Sequence, residues 1–218
     1  MKTSSHEDKM KRAAEVLQIL KKEYSDRPTT ALAYHNTVQL LVAVILSAQC
    51  TDARVNMVVK PLFKKYKTAW DFANAGRKTL EKEIHSTGFY RNKAKNIINA
   101  CKIIEQQHKG LVPKTMPELL HLPGVARKTA NIVLGEGHGI IEGIAVDTHV
   151  RRLSNRLGFT KHSSPEKIEQ DLMLLFPKKD WGEVSTRLIW HGRAVCSARK
   201  PKCISCPVSS LCPSAFKV

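Results

Sequence analysis

The sequence predicts an all-α protein, and three observations predict it. Apolar residues recur at helical spacing along nearly the whole chain, as in Ala13, Val16, Leu17 and Leu20, or Ile97, Ile98, Cys101 and Ile104. The breaks between these stretches carry helix-terminus chemistry, with Ser, Thr or Asp before a stretch and Gly or Pro after it. The run 38–48 (VQLLVAVILSA) is apolar almost all round; its length and its Leu and Ala content favour a buried helix over a buried strand. A hydrophobic share of 42% over 218 residues supports a proper core, in one large domain or two small ones.

Taken in order, residues 1–8 look frayed and residues 9–24 form an amphipathic helix, broken at Ser25-Asp26-Arg27-Pro28. After the buried helix, Gln49-Cys50-Thr51-Asp52 is a polar interruption, and Thr51 or Asp52 caps a helix over 53–66. Short helices follow at 69–75 and 79–85. Gly88-Phe89-Tyr90 is a loop, and 92–107 is a clear amphipathic helix ended by Gly110. Thr115-Met116-Pro117-Glu118 reads as a capping box, with Leu119, Leu120 and Leu122 giving the helix its apolar face. Pro123-Gly124 breaks it, since Gly permits the positive φ of a tight turn, and a second helix runs over 127–134. Gly135, Gly137, Gly139 and Gly143 loosen the chain. Helices then cover 148–157, closed by Gly158, and a stretch capped by Ser164 with Pro165 in its first turn. Asp180-Trp181-Gly182-Glu183 is a further capping signal, for a helix carrying Val184, Leu188 and Ile189. Residues 196–218 are cysteine-rich and irregular.

Charge narrows the partners. Thirty-six Lys and Arg face 19 Asp and Glu, giving +17 and a pI near 9.8, which points to a polyanion and most simply to nucleic acid. An acidic membrane is the rival, but there is no lipidation signal and no long basic amphipathic helix. No apolar run approaches the ~18 residues of a membrane span. Residues 1–12 lack the apolar core of a signal peptide. The expected location is therefore cytoplasmic, with the nucleoid if the source is prokaryotic. In such a reducing compartment, six cysteines argue for metal or buried thiols rather than disulfides.

Two stretches carry chemistry. In the hairpin 122–131, the first N–H groups of the second helix attract an anion such as a backbone phosphate. Lys128 sits one turn inside that positive end, which disfavours a further cation and gives the lysine a reason to lose its proton. The second stretch is Cys196, Cys203, Cys206 and Cys212, spaced C-x6-C-x2-C-x5-C. Four thiolates with so few apolar residues between them need a bound centre, and all-sulfur sites hold either zinc or iron–sulfur. Between the first two cysteines, Arg199, Lys200 and Lys202 make a candidate phosphate grip, with Arg193 just before them; the alternative is a solvated basic turn. Cys50 and Cys101 read as ordinary buried thiols.

Leu122-Pro123-Gly124-Val125-Ala126-Arg127-Lys128, with Val146-Asp147 downstream, resembles the helix-hairpin-helix and Gly/Pro…Asp signature of the DNA glycosylase superfamily. Within it the chain is most similar to the endonuclease III family, over about residues 31–212. That resemblance implies a two-lobed fold. One is a six-helix lobe, residues 30–140; the other is discontinuous, residues 1–29 and 141–218, and bears the cluster loop. A cleft between them would bring Asp147 opposite Lys128. It also implies a [4Fe–4S] cluster on the four cysteines, Lys128 as nucleophile and Asp147 as second catalytic residue. Burial in the cleft would then help lower the lysine from its ordinary pKa of about 10.4.

A base acted on by an enzyme must leave the stack. The resemblance implies that Gln49 fills the gap and that Phe89 stands where the family has an apolar wedge, commonly Leu. Leu122, Gly124, Ala126, Arg127 and Thr129 would make the hairpin's DNA contacts. The family's hairpin commonly has Gly at the position of Ala126; if φ is positive there, Ala costs roughly 1–2 kcal/mol. The implied activity is a bifunctional glycosylase and abasic-site lyase. It would act as a monomer on double-stranded DNA, removing oxidised or ring-saturated pyrimidines and nicking by β-elimination. The rivals are a monofunctional glycosylase for mismatched adenine or thymine, whose members typically lack a lysine here, and a non-catalytic DNA-binding module. Lys128 together with Asp147 argues against both.

Overall fold

The structure, a computed structural model, describes residues 6–28 and 30–217. Much of the stretch expected to fray (1–8) lies outside them, and the first helix, α1 (His6–Glu23), opens at the first described residue. No strand occurs among the described residues, and no helix there is long and apolar enough to cross a membrane. The chain divides into two compact units: Thr30–Glu142, and Met1–Thr29 with Gly143–Val218.

The Thr30–Glu142 unit is built around α2 (Thr37–Ser47), the apolar run, in which every residue from Val38 to Leu46 is buried. Asn36 caps it by accepting the Gln39 N–H at 2.9 Å. The one polar side chain in that buried stretch is satisfied: the Gln39 amide donates to the carbonyls of Phe63 and Tyr66. Those carbonyls sit at the end of α3 (Asp52–Lys65), which Thr51 caps as expected. The short helices are α4 (Ala69–Ala73), opened by a reciprocal Thr68–Asp71 capping box, and α5 (Arg77–Glu83). A 3-10 turn over His85–Thr87 leads into α6 (Tyr90–His108). Leu41, Leu46, Phe72, Leu80, Ile97, Ile104 and Leu119 are fully buried in the common core. Each such side chain contributes about 1.5–3 kcal/mol.

Next come α7 (Met116–Leu120) and α8 (Arg127–Ile132). Two expectations are corrected here. Thr115 does not cap α7; its hydroxyl donates to the Glu118 carboxylate at 2.6 Å. The glycines 135 and 137 do not loosen the chain either: α8 continues into a π turn over Val133–Gly137, with Val133 and Leu134 in the core. A Cβ on Gly137 would lie 2.6 Å from the Thr37 side chain, so that glycine serves close packing against α2.

The second unit packs α1 with α9 (Thr148–Arg156), α10 (Pro165–Leu175) and α11 (Trp181–Ala194). Leu20, Val150, Leu153, Phe159, Ile168 and Leu172 are fully buried among them. Arg187 of α11 donates to the carbonyls of Tyr24 and Arg27, and Trp190 to that of Pro28, which fastens the end of the α1 segment. Asp180 does not cap α11; its carboxylate takes Lys21 of α1 at 2.6 Å. Ser164 likewise turns to Glu166 instead of capping α10.

Candidate functional site

In the Thr30–Glu142 unit, Pro123-Gly124 forms the turn between α7 and α8. Gly124 has φ +82°, and a Cβ there would meet the Asn96 side chain at 2.9 Å, so only glycine fits on either count. Ala126 stands at the helix entry with φ −94° and ψ 169°, which any residue adopts, so the cost expected for alanine does not arise. No side chain caps the first turn of α8. Lys128 is exposed, so the burial expected of it is absent from the protein as it stands. Arg127 and Thr129 are half-buried. Leu122 is 2% exposed and belongs to the core, so its side chain is not a DNA contact; only its backbone could be.

Two loops of this unit end in exposed residues with left-handed backbones. Gln49, between α2 and α3, has φ 54°; Phe89, at the entry to α6, has φ 47° and is 68% exposed. Phe89 is therefore not part of the core. A non-glycine residue in this region is uncommon, and for a bulky one it is a genuine outlier. Next to these tips lies a residue that sequence reasoning missed. Lys93, in the first turns of α6, is 5% exposed, and its ammonium donates to Leu46 O and Thr87 O at 2.8 Å each. Burial lowers its pKa. A lysine early in an amphipathic helix reads as surface, so no sequence signal marks it.

In the other unit, Asp147 is the N-cap of α9: its carboxylate accepts the Val150 N–H at 2.8 Å, which fixes its orientation. His149, one turn in, lies against α11, where a Cβ on Gly192 would meet its ring at 2.8 Å. Burial lowers the His149 pKa against the pull of Asp147. Farther along α9, two arginines grip the cysteine loop. Arg152 donates to Gly192 O and Cys196 O. Arg156 donates to Cys196 Sγ at 3.3 Å, Ser197 O at 2.7 Å and Ala198 O at 2.8 Å. Arg199, Lys200 and Lys202 are exposed on that loop, and Arg193 stacks over Trp190.

Cys196, Cys203, Cys206 and Cys212 all line one hollow. Among the described residues, no three His, Cys, Asp or Glu side chains are arranged to hold a metal ion. The thiols are nonetheless close enough to act on one another. Burial first, and then the neighbouring cysteines, push Cys206 and Cys212 up, while backbone N–H groups partly offset this. His191 lies between Cys206 Sγ at 3.4 Å and the Tyr24 hydroxyl at 3.0 Å, and burial pushes its pKa down to about 4. Of the remaining cysteines, Cys101 is fully buried with its thiol pushed up to about 12, whereas Cys50 is only half-buried.

Residues 42–178 match the family model of the HhH-GPD superfamily of base excision DNA repair proteins. The chain is 57% identical over 207 residues to the endonuclease III of Synechocystis sp., covering 95% of this chain and 94% of that protein. It is 48% identical over 187 residues to the endonuclease III of Bacillus subtilis, covering 85% of each. Its fold superposes with a TM-score of 0.90 on an endonuclease III trapped as a covalent intermediate with DNA, at 43% identity over 95% of this chain and 97% of that one.

Proposed function

Since the chain belongs to the endonuclease III family of HhH-GPD base excision DNA repair proteins, we propose that it is a bifunctional DNA glycosylase and abasic-site lyase. It acts as a monomer on duplex DNA in the cytoplasm, removing oxidised or ring-saturated pyrimidines. The observation that carries this is that a chain so similar to curated endonucleases III has both an exposed Lys128 just inside α8 and an Asp147 held in place as the cap of α9.

In this reading the neutral Lys128 amine attacks the sugar C1′. The C1′–N bond breaks, its electron pair leaves with the base, and Nζ loses a proton; the nitrogen lone pair then expels O4′, which takes up a proton, so the sugar ring opens and a Schiff base joins Nζ and C1′. A base then removes a proton from C2′, and the C3′–O bond breaks to release the 3′ phosphate; water finally frees the lysine. Because Lys128 is exposed, whatever desolvation its amine undergoes comes with the DNA. Asp147 stabilises the positive charge that develops on the sugar, or takes the proton from the attacking lysine. The N–H groups at the start of α8, where the N-cap Ala126 offers no capping oxygen, suit a backbone phosphate. Gln49 and Phe89 enter the stack where the base has left, Arg127 and Thr129 contact the backbone beside the hairpin, and Arg193, Arg199, Lys200 and Lys202 hold the flanking phosphates.

The four cysteines suit a [4Fe–4S] cluster. They line one hollow, and four thiolates so placed suit a cationic all-sulfur centre. With all four ligands from the protein, the cluster would supply rigidity to the basic loop and not a site for substrate. The functional test is a thymine glycol duplex. Free base should be released and the strand should carry the β-elimination end, with both lost in Lys128→Ala. Base release without a nick would leave a monofunctional enzyme.

A further inference from the structure

Gln49 and Phe89 belong to separate loops, yet one buried ammonium joins those loops. Leu46 O lies in the last turn of α2, three residues before Gln49; Thr87 O closes the 3-10 turn, two residues before Phe89. Carbonyls at such ends have no partner within their own helix. Both accept from Lys93 Nζ at 2.8 Å. The Lys93 N–H also donates to Phe89 O at 3.0 Å, so the same residue bonds the loop at Thr87 through its side chain and at Phe89 through its backbone. A cation at two carbonyl ends is electrostatically favoured, and in a buried setting such charge-assisted bonds are strong. Left-handed Gln and Phe backbones persist only where their surroundings fix them. Lys93 is the group common to both surroundings.

We propose that Lys93 is a positioning residue that ties the two loops into one rigid probe, setting the spacing at which Gln49 and Phe89 enter the duplex together. This rests on the glycosylase reading for what the tips do, but not on the Lys128 chemistry.

The test places 2-aminopurine opposite an abasic-site analogue, where insertion of the tips unstacks it and raises its fluorescence without any catalysis. Wild type should give the rise, Lys93→Met should lose it, and Lys93→Arg should recover most of it. In parallel, single-turnover nicking of a lesion duplex by Lys93→Met should fall roughly tenfold to a hundredfold, the loss expected from charged hydrogen bonds of this kind. β-Elimination on a single-stranded abasic oligonucleotide has no gap to fill and should stay within a factor of about two of wild type. Equal losses on both substrates would mark a merely structural lysine, and no loss on either would remove the role altogether; each overturns the proposal. If Lys93→Met does not fold, a cycle of Gln49→Ala and Phe89→Ala decides. Tips held as one unit give a double variant scarcely worse than either single one, and additive losses overturn the clamp. A wild type that raises the fluorescence but never nicks would refute the enzyme reading and leave the clamp standing.

Discussion

At the scale of the residue, Asp147 does two things that one substitution can separate. Its carboxylate caps α9 through the Val150 N–H, and the proposed mechanism uses its charge. Asparagine keeps a capping oxygen and loses the charge; alanine loses both. Asp147→Ala should therefore be less stable by about 0.5–2 kcal/mol in thermal or denaturant unfolding, and Asp147→Asn should stay close to wild type. Both should lose turnover of the lesion. An Asp147→Asn enzyme with full turnover would reduce Asp147 to a cap. Gly124 was readable at this scale, because a Pro-Gly pair between two apolar stretches predicts a tight turn. Lys93 was not, because the carbonyl that joins it to the other loop, Leu46 O, is 47 positions away, and nothing in its own helix distinguishes it from a solvated lysine.

At the scale of the element, α9 joins Asp147 at its start to the cysteine loop at its end through Arg152 and Arg156. Arg156→Ala removes bonds to Cys196 Sγ, Ser197 O and Ala198 O and leaves Arg152, at Cys196 O, as the α9 arginine still holding the loop. Ordering a long side chain on binding costs about 0.5–1.5 kcal/mol, and the loop presents Arg199, Lys200 and Lys202. Arg156→Ala should thus weaken duplex binding by about tenfold, or ~1.4 kcal/mol, in a titration at fixed salt. Unchanged affinity in a folded variant would mean that this loop does not grip DNA. The helices themselves were legible from apolar periodicity: α2, α3, α6, α9 and α10 fall within a few residues of their expected bounds. What periodicity could not supply is the choice a polar side chain makes among competing partners. Thr115, Ser164 and Asp180 each stand at a capping position and each bonds a nearby or distant side chain instead.

At the scale of the whole molecule, each unit has its own buried core, and the net charge of +17 suits a chain that works on a polyanion. The cysteine spacing, the hairpin and the basic composition were all visible before the fold was known. The exposure of Lys128 was not, because an amphipathic pattern fixes which helix face is buried and not how deep a residue at the helix start will lie. The most direct test of the central claim, that Lys128 is the nucleophile of a bifunctional glycosylase, is borohydride trapping on a thymine glycol duplex beside an abasic-site duplex. Reduction of the Schiff base leaves a stable covalent adduct between protein and DNA. Wild type should form adducts on both duplexes, and Lys128→Ala, whose exposed site predicts a stability change within about 0.5 kcal/mol, should bind DNA and form neither. Tight binding by wild type with no adduct on either duplex, or adducts that persist in Lys128→Ala, would contradict it.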